Sequence, residues 1–468
     1  MMDNALVWFR RDLRLNDQPA LLEASQRGAV LPIYIFDTEV PSCFKEGSAG
    51  YTWLCASLSS LNKDLNGHLN LYYGTPLDII RRLIKAYKIQ HVFWNHVYEP
   101  WERARSAEVK AYLKAHHVCC HTSNADYLWA PDECLKDDGD FYKVFTAYDR
   151  KMNQKTVRDV VEKPRHLKLI QDQSAQLDRT LVTQGPVAQA DHAIQGWRVG
   201  ESAACSKLEQ FIHAGLKLYQ RSRDFPALDH TSKLSPHLHF GEISPVQIWH
   251  AIQSLGDEFE SDKVHFLREL NWREFSNYLL YHFEHLHDQN FKKKFDAFPW
   301  IQNDALLQAW QAGLTGYPII DAGMRELLQT GYMHNRVRMI VASFLVKNLM
   351  IDWRLGSHWF LNALFDADLA NNSASWQWVA GSGCDAAPYF RIFNPILQGE
   401  KFDPLGEYTR KFVPELSAMP QKFLFTPWLA SHEMLSEIGI QLGEDYPKPI
   451  IDLKASRDRA LKAYRSLA

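Results

Sequence analysis

Four short apolar runs near the start of the chain, at residues 5–9, 30–36, 69–73 and 91–94, are each followed by a segment with helical spacing. Those segments cover 19–27, 51–65, 76–88 and 101–116, and Asp, Gly and Asn turn residues mark the breaks. Strand–helix alternation leaves few options: the strands form a parallel sheet and helices wrap it. Such sheets bind ligands at the carboxyl ends of their strands. No G-x-G-x-x-G occurs there, so the dinucleotide fingerprint is absent.

At 468 residues the chain is too long for one ordinary core, so two domains are expected. From about Asp132 to Gln195 the periodicity fades among Pro164, Pro186 and many Gln, Lys and Asp residues. That stretch reads as a long connector over the surface. After Gly196 the pattern turns helical, with a short turn-and-helix at 234–240. Longer helical segments are expected at 245–255, 266–287, 304–312, 317–330, 335–351 and 358–364. The expected division is an α/β domain over 1–131, a linker over 132–195 and an all-α domain over 196–468.

Composition narrows the class. Hydrophobic content of 46% and charged content of 23% are those of a globular protein. No apolar run is long enough to span a bilayer, and the start carries no basic-then-apolar leader. Seven cysteines, never spaced C-x-x-C, fit reduced thiols in a cytoplasm. The segment His116-His117-Val118-Cys119-Cys120-His121 matches no zinc spacing and sits where a buried strand should begin, so no metal is expected. A net charge of −3 gives no global pull on nucleic acid, so DNA binding would need a local patch. With 15 Trp, 19 Tyr and 25 Phe, the chain has aromatic surface for a large core, a chromophore pocket or a base-stacking wall.

Five segments concentrate chemistry. FLRELNWREFS (266–276) places Glu269, Trp272, Arg273 and Ser276 on one helical face. YMHNRVRM (332–339) places Asn335, Arg338 and Met339 together, with Arg336 to one side. DADLANN (366–372) packs two aspartates and two asparagines into seven residues. TSKLSPHLHF (231–240) offers hydroxyls at Thr231, Ser232 and Ser235 before Pro236, a helix start suited to phosphate. ASWQWVAGSGCDAAPYFRIFNP (374–395) sets aromatic rings beside nearly bare backbone, which suggests room for a flat ligand. Taken singly, a solvated helix face, a helix cap or a turn explains each of the first four.

Together, in this order, and with VWFRRDLRLND (7–17), they closely resemble the DNA photolyase and cryptochrome family. The specific part of the likeness runs from Tyr219 to Phe402, through RDFP, TSKLSP, NWREF, TGYPIIDAGMREL, HNRVRM, DWR, WQW and DAAPYFRIFNP. Within the family the chain looks most like microbial class I enzymes that split cyclobutane pyrimidine dimers. The resemblance implies an N-terminal α/β domain with a Rossmann-like parallel sheet, a long linker and an all-α C-terminal domain holding FAD. It implies that Tyr219, Thr231, Ser232, Lys233, Leu234 and Ser235 hold the flavin and its phosphates. Asn335 lies against it, Asp366 and Asp368 bond its ring and ribitol side, Arg338 pairs with Asp366, and Asn372 sits near N5. Trp376, Trp353 and Trp310 match a tryptophan relay from the surface to the flavin.

The implied activity is light-driven electron transfer from reduced FAD to a dimer swung out of DNA, a deoxyribodipyrimidine photo-lyase reaction. Trp272 and Trp378 would stack the dimer, and Glu269 and Asn335 would bond its base edges. Arg223, Arg336 and Gln398 would touch the DNA, with Arg273, Ser276 and Met339 beside them. The expected partner is single- or double-stranded DNA carrying pyrimidine dimers, bound by a monomer. Phe266 and Tyr332 replace tryptophans common in relatives, and Asn271 replaces an apolar residue. Trp101-Glu102 stands where folate-binding relatives have Asn-Glu, and Asp288 where they have lysine. Folate is therefore disfavoured as a second, antenna chromophore, and a deazaflavin, another flavin or an empty pocket stays open. The alternative is a cryptochrome-type blue-light receptor without repair, against which Asn372, Trp272 and Glu269 speak.

Overall fold

The computed structural model describes residues 3–42, 45, 47–173 and 188–467. Among these, five parallel strands form one sheet in the order β3-β2-β1-β4-β5. They are β1 Asn4–Phe9, β2 Val30–Phe36, β3 Asn70–Tyr73, β4 Ile89–Asn95 and β5 Cys119–Ser123. Helices α1 Pro19–Ser25, α2 Ser48–Asp64, α3 Pro76–Tyr87 and α4 Pro100–Ala115 alternate with them, as the sequence pattern requires. Over β1, β2 and β4 both sheet faces are largely buried, which is why those strands read as apolar runs, whereas edge strand β5 is exposed at Cys119 and half-buried beyond it, not the buried strand expected there. Leu6, Trp8, Leu31 and Ile33 pack on one face. Ala5, Val7 and Phe9 pack on the other with Phe240 and Phe365, so the sheet shares that core with the helical half.

The largest core lies in the helical half and includes Trp310, Ile320, Val341, Leu345, Trp353 and Trp376. Helices Pro318–Thr330, Asn335–Ser343, Trp353–Ala363 and Leu369–Ala380 contribute to it, while helix Glu260–His282 packs in two neighbouring cores. The single helix expected over 335–351 is broken. After Ser343 the chain widens into a π-helical turn, Phe344–Asn348, and Leu349 N–H bonds to Phe344 O at 3.0 Å. The helix expected from 266 begins at Glu260, where Glu260 and Asp262 complement the helix dipole.

The expected surface connector is a structural participant. Its Pro186, with the rest of 174–187, lies outside the described residues. Within the described part, α5 Phe145–Met152 buries Phe145, Tyr148 and Met152, spaced i, i+3 and i+7, in a core shared with the 260–282 helix. Farther on, Val30 exchanges backbone hydrogen bonds with Lys168 and Ile170. Asp172 accepts the hydroxyls of Tyr72 and Tyr87, each at 2.7 Å. Polar residues fade the helical period without freeing the chain, because their side chains are themselves the anchors.

The two halves meet at Arg14, whose side chain is 0% exposed. It donates to Asp126 Oδ1 at 2.7 Å, Gly241 O at 2.9 Å, Ala125 O at 3.0 Å, and Asp17 O at 2.9 and 3.2 Å. Gly241 has φ +66° and presses against Arg11 O, where a Cβ would fall 1.9 Å away. Removing one member of such a buried pair strands the other charge. Arg14→Ala should therefore lower unfolding free energy by about 3–5 kcal/mol in denaturant titrations.

Candidate functional site

A cavity of about 740 Å³ opens in the helical half, walled by the segment from Tyr219 to His239 and the 260–282, 335–343 and 369–380 helices. Every residue of the expected cofactor set lines it: Tyr219, Thr231, Ser232, Lys233, Leu234, Ser235, Asn335, Arg338, Asp366, Asp368 and Asn372. Residues far apart in sequence thus converge on one space.

Asp366 anchors the polar wall. Its Oδ2 accepts from Arg338 Nη2 at 2.8 Å and from Ser235 Oγ at 2.5 Å. The Ser235 hydroxyl therefore serves Asp366 and caps no helix start. Asp366 Oδ1 is buried with no partner among the described residues. A bare buried carboxylate oxygen is costly, so this atom marks where a ligand N–H or O–H is received. Asp368 caps the 369–380 helix by accepting from Asn371 N at 2.7 Å. Asn372 donates from Nδ2 to Ser357 O and Oγ, at 3.0 and 2.9 Å. With both amide hydrogens engaged, Asn372 offers the cavity an acceptor. Lys233 holds a left-handed backbone, φ +51°, and pairs with Asp229 at 2.7 Å.

Glu269, Trp272, Arg336, Met339, Trp378 and Arg223 line the same cavity. Glu269 is paired with Arg223. Arg336 pairs with Asp224 at 2.6 Å and lies over the Phe402 ring. Burial pushes the His334 imidazole down to about 4. Neutral at ordinary pH, its Nδ1 accepts Arg336 N–H and caps the 335–343 helix. Trp272 stacks on Phe145 with centroids 3.6 Å apart and planes 10° apart. One face is backed, and Trp272 stays half-buried on the cavity wall.

Phe145 is the residue sequence reasoning missed, since it lay in the presumed linker. Its backbone N–H donates to Asp385 Oδ2 at 2.7 Å, and Cys384 Sγ reaches Lys143 O. The bare stretch after WQW thus clamps the support of Trp272. Gly381, φ +84°, ends the 369–380 helix, and Gly383 N–H turns back to Gln377 O. Gln377 itself donates to Leu286 O and Gln289 O, each at 2.8 Å, between a buried Trp376 and a half-buried Trp378.

Some expected contacts are otherwise engaged. Arg273 lines the wall, yet its guanidinium bonds to Asp126 O and Leu238 O and pairs with Glu274. Ser276 Oγ donates to Trp272 O, inside its own helix. Gln398 is not on the cavity wall; it sits half-buried on the Pro395–Phe402 helix. The relay needs correction at its outer end. Trp310 and Trp353 are 0% exposed and Trp376 2%, so none of the three meets solvent. Trp376 contacts Trp310 edge-on at 6.2 Å, in one core with Trp353. A surface start requires another aromatic, and Trp300 is a half-buried one packed on that core.

Residues 5–166 match the DNA photolyase family, and residues 266–466 match the FAD binding domain of DNA photolyase. The chain is 43% identical to a deoxyribodipyrimidine photo-lyase of Agrobacterium fabrum, over 99% of this chain and 98% of that one. It is 33% identical to cryptochrome-1 of Arabidopsis thaliana, over 98% of this chain and 70% of that one. A crystal structure of a bacterial class III photolyase from Agrobacterium tumefaciens superposes with TM-score 0.95 and 41% identity, covering 100% of this chain and 98% of that one. The chain belongs to the DNA photolyase family. It is an FAD-binding enzyme of the photo-lyase class; the expectation of a class I likeness meets a structural relative that is of class III.

Glu274 ties the site helix to the segment after β5: its carboxylate accepts Leu128 N–H at 3.0 Å. Burial pushes it up to about 7 from an ordinary 4.5, against the pull of Arg273. The folded chain therefore holds a proton between those values that the unfolded chain releases. This group's stabilisation is full below 4.5 and is lost as pH rises through about 7. Glu274→Gln should flatten that part of a melting-temperature profile between pH 5 and 8, numbers set by about those two pKa values.

Proposed function

We propose that the chain repairs cyclobutane pyrimidine dimers in DNA under blue light. The observation that carries this is Trp272, a ring backed by Phe145, on the same cavity wall as Trp378, Asp366 and Asn372. Swinging a damaged pair out of the duplex costs a few kcal/mol, roughly, and less than for an intact pair. Stacking a base on an aromatic ring returns about 1–3 kcal/mol. A backed tryptophan keeps more of that return because it has little freedom left to lose.

Glu269, held by Arg223, offers carboxylate oxygens to base N–H groups, and Asn335 offers an exposed amide at the first turn of its helix. Arg223 and Arg336 place cations along the cavity for the DNA backbone. Asp366 Oδ1 and Asn372 Oδ1 are acceptors for flavin N–H groups, and Arg338 neutralises the aspartate it would otherwise leave bare. Reduced FAD supplies, on absorbing light, the electron that opens the dimer and later recovers it. The apolar wall of Phe266, Leu270, Phe360 and Leu364 keeps water from the space between.

The reading includes action as a monomer in the cytoplasm, and leaves room for a second, antenna chromophore, with folate disfavoured. The Trp101-Glu102 pair is already engaged, Glu102 by Arg10 at 3.0 Å and Trp101 under Arg105. Domain limits near 131 and 195 are kept as sequence-based divisions.

Reduced protein incubated with a thymine-dimer oligonucleotide should restore thymines in blue light and not in the dark. Restoration of nothing in either condition, with flavin bound, would favour a receptor role instead. Trp376→Phe should abolish photoreduction of oxidised flavin, read from its absorbance, while repair by chemically reduced protein persists. Equal loss of both would remove Trp376 from the relay.

A further inference from the structure

Strands β4 and β5 bring together three side chains that the cavity does not use. The parallel register pairs His91 with Cys119 and Phe93 with His121, so His91, Cys119 and His121 share one sheet face. One ligand atom from each lies within 4.8 Å of the others, a group of three that could hold an ion. His91 Nδ1 is 3.0 Å from His121 Nε2. Behind the first ring, His91 Nε2 is 3.4 Å from Asp3 Oδ2. Sequence spacing hides this group, because its third member comes from the neighbouring strand.

We propose that this outer part of the sheet binds a Zn²⁺-class transition-metal ion through His91 Nδ1, His121 Nε2 and Cys119 Sγ, with Asp3 orienting His91. Donation of His91 Nε2–H to Asp3 fixes the tautomer that leaves a lone pair on Nδ1. Without metal, a single proton bridges the two ring nitrogens. On uptake the bridging proton of neutral His121 gives way to one on His121 Nδ1 and the thiol proton leaves, so binding releases one net proton to solvent. Tetrahedral bonds of about 2.0–2.3 Å set ligand atoms about 3.3–3.7 Å apart, so the rings part by only a few tenths of an ångström, roughly. Phe93 stacks on His121 at 4.3 Å and 12°, which holds that ring in plane.

The donor set of two imidazoles and a thiolate selects zinc or copper over calcium or magnesium. Cys119 is exposed, so the fourth position faces solvent. Around the site, Glu23 and Arg27 at the end of α1 act on His121 with opposite sign. Burial first, then His91 and Arg27, hold His121 below the ordinary imidazole range and therefore neutral. Cys120 belongs to the opposite sheet face and takes no part.

The test uses full-length, flavin-loaded protein without a histidine tag, stripped of metal and titrated with Zn²⁺ against a chromophoric chelator. One equivalent per chain is expected, with affinity falling steadily as pH drops, because the ion competes with the thiol and imidazole protons. Co²⁺ in its place should give thiolate-to-metal charge-transfer absorption that Cys119→Ser abolishes. His91→Gln and Asp3→Asn should each weaken Zn²⁺ binding about 10-fold or more. Flavin absorbance and light-driven repair should be unchanged in all three variants, which reports an intact fold. Absence of stoichiometric Zn²⁺ uptake overturns the proposal, as does uptake that survives His91→Gln combined with Cys119→Ser.

Discussion

Five N–H groups of one buried arginine meet oxygens of Asp17, Ala125, Asp126 and Gly241 at the seam between sheet and helices. A guanidinium has five donors and no acceptor, so Arg14 is fully satisfied only when both halves are in place. Around it, Asp17 receives Arg158 and Ser244, and Glu201 accepts the backbone N–H groups of Leu15 and Asn16. Trp53 of α2 donates to Glu242, which also holds His237. Polar groups of this kind, in a low-dielectric seam, tolerate one arrangement and penalise its neighbours. The cavity is tied to that seam, because part of its wall, Leu234, Ser235, Leu238 and His239, lies directly before Gly241.

The same logic of satisfied and unsatisfied atoms distinguishes scaffold from site. Gln377, Ser276 and Arg273 sit within active-looking motifs, yet their polar atoms are engaged by backbone carbonyls. Asp366 and Asn372 differ: each is half-engaged from behind and leaves one oxygen for the cavity. A residue held on one side and open on the other is both rigid and available, which is what recognition of a flat, polar-edged ligand requires.

Strand–helix alternation was legible because both sheet faces are buried and the strands stand out as apolar runs. The cofactor wall was legible only through the family resemblance of its motifs in series, because each motif alone reads as a cap, a turn or a solvated face. The connector was not, because α5 is short and its apolar face is only Phe145, Tyr148 and Met152. Nor was the loss of regular helix at Phe344, where tertiary packing of the 344–348 turn overrides a continuous helical pattern. Trp310 illustrates a different limit: a tryptophan's rank from core to surface is a property of packing, and sequence spacing carries no such coordinate. His91 and His121 show the same blindness across strands, since register is a tertiary fact.

Phe145 reaches the Trp272 ring from a segment that begins outside the helical half, and Asp385 ties it down from the far side of the cavity. The cavity wall at Trp272 is therefore a composite of three stretches of chain, and its stiffness is set by the loosest of them. Drift in the length of the connector would be limited by optical-bench tolerance rather than by solubility: an added residue before Phe145 would shift the backing ring out of register with its mirror.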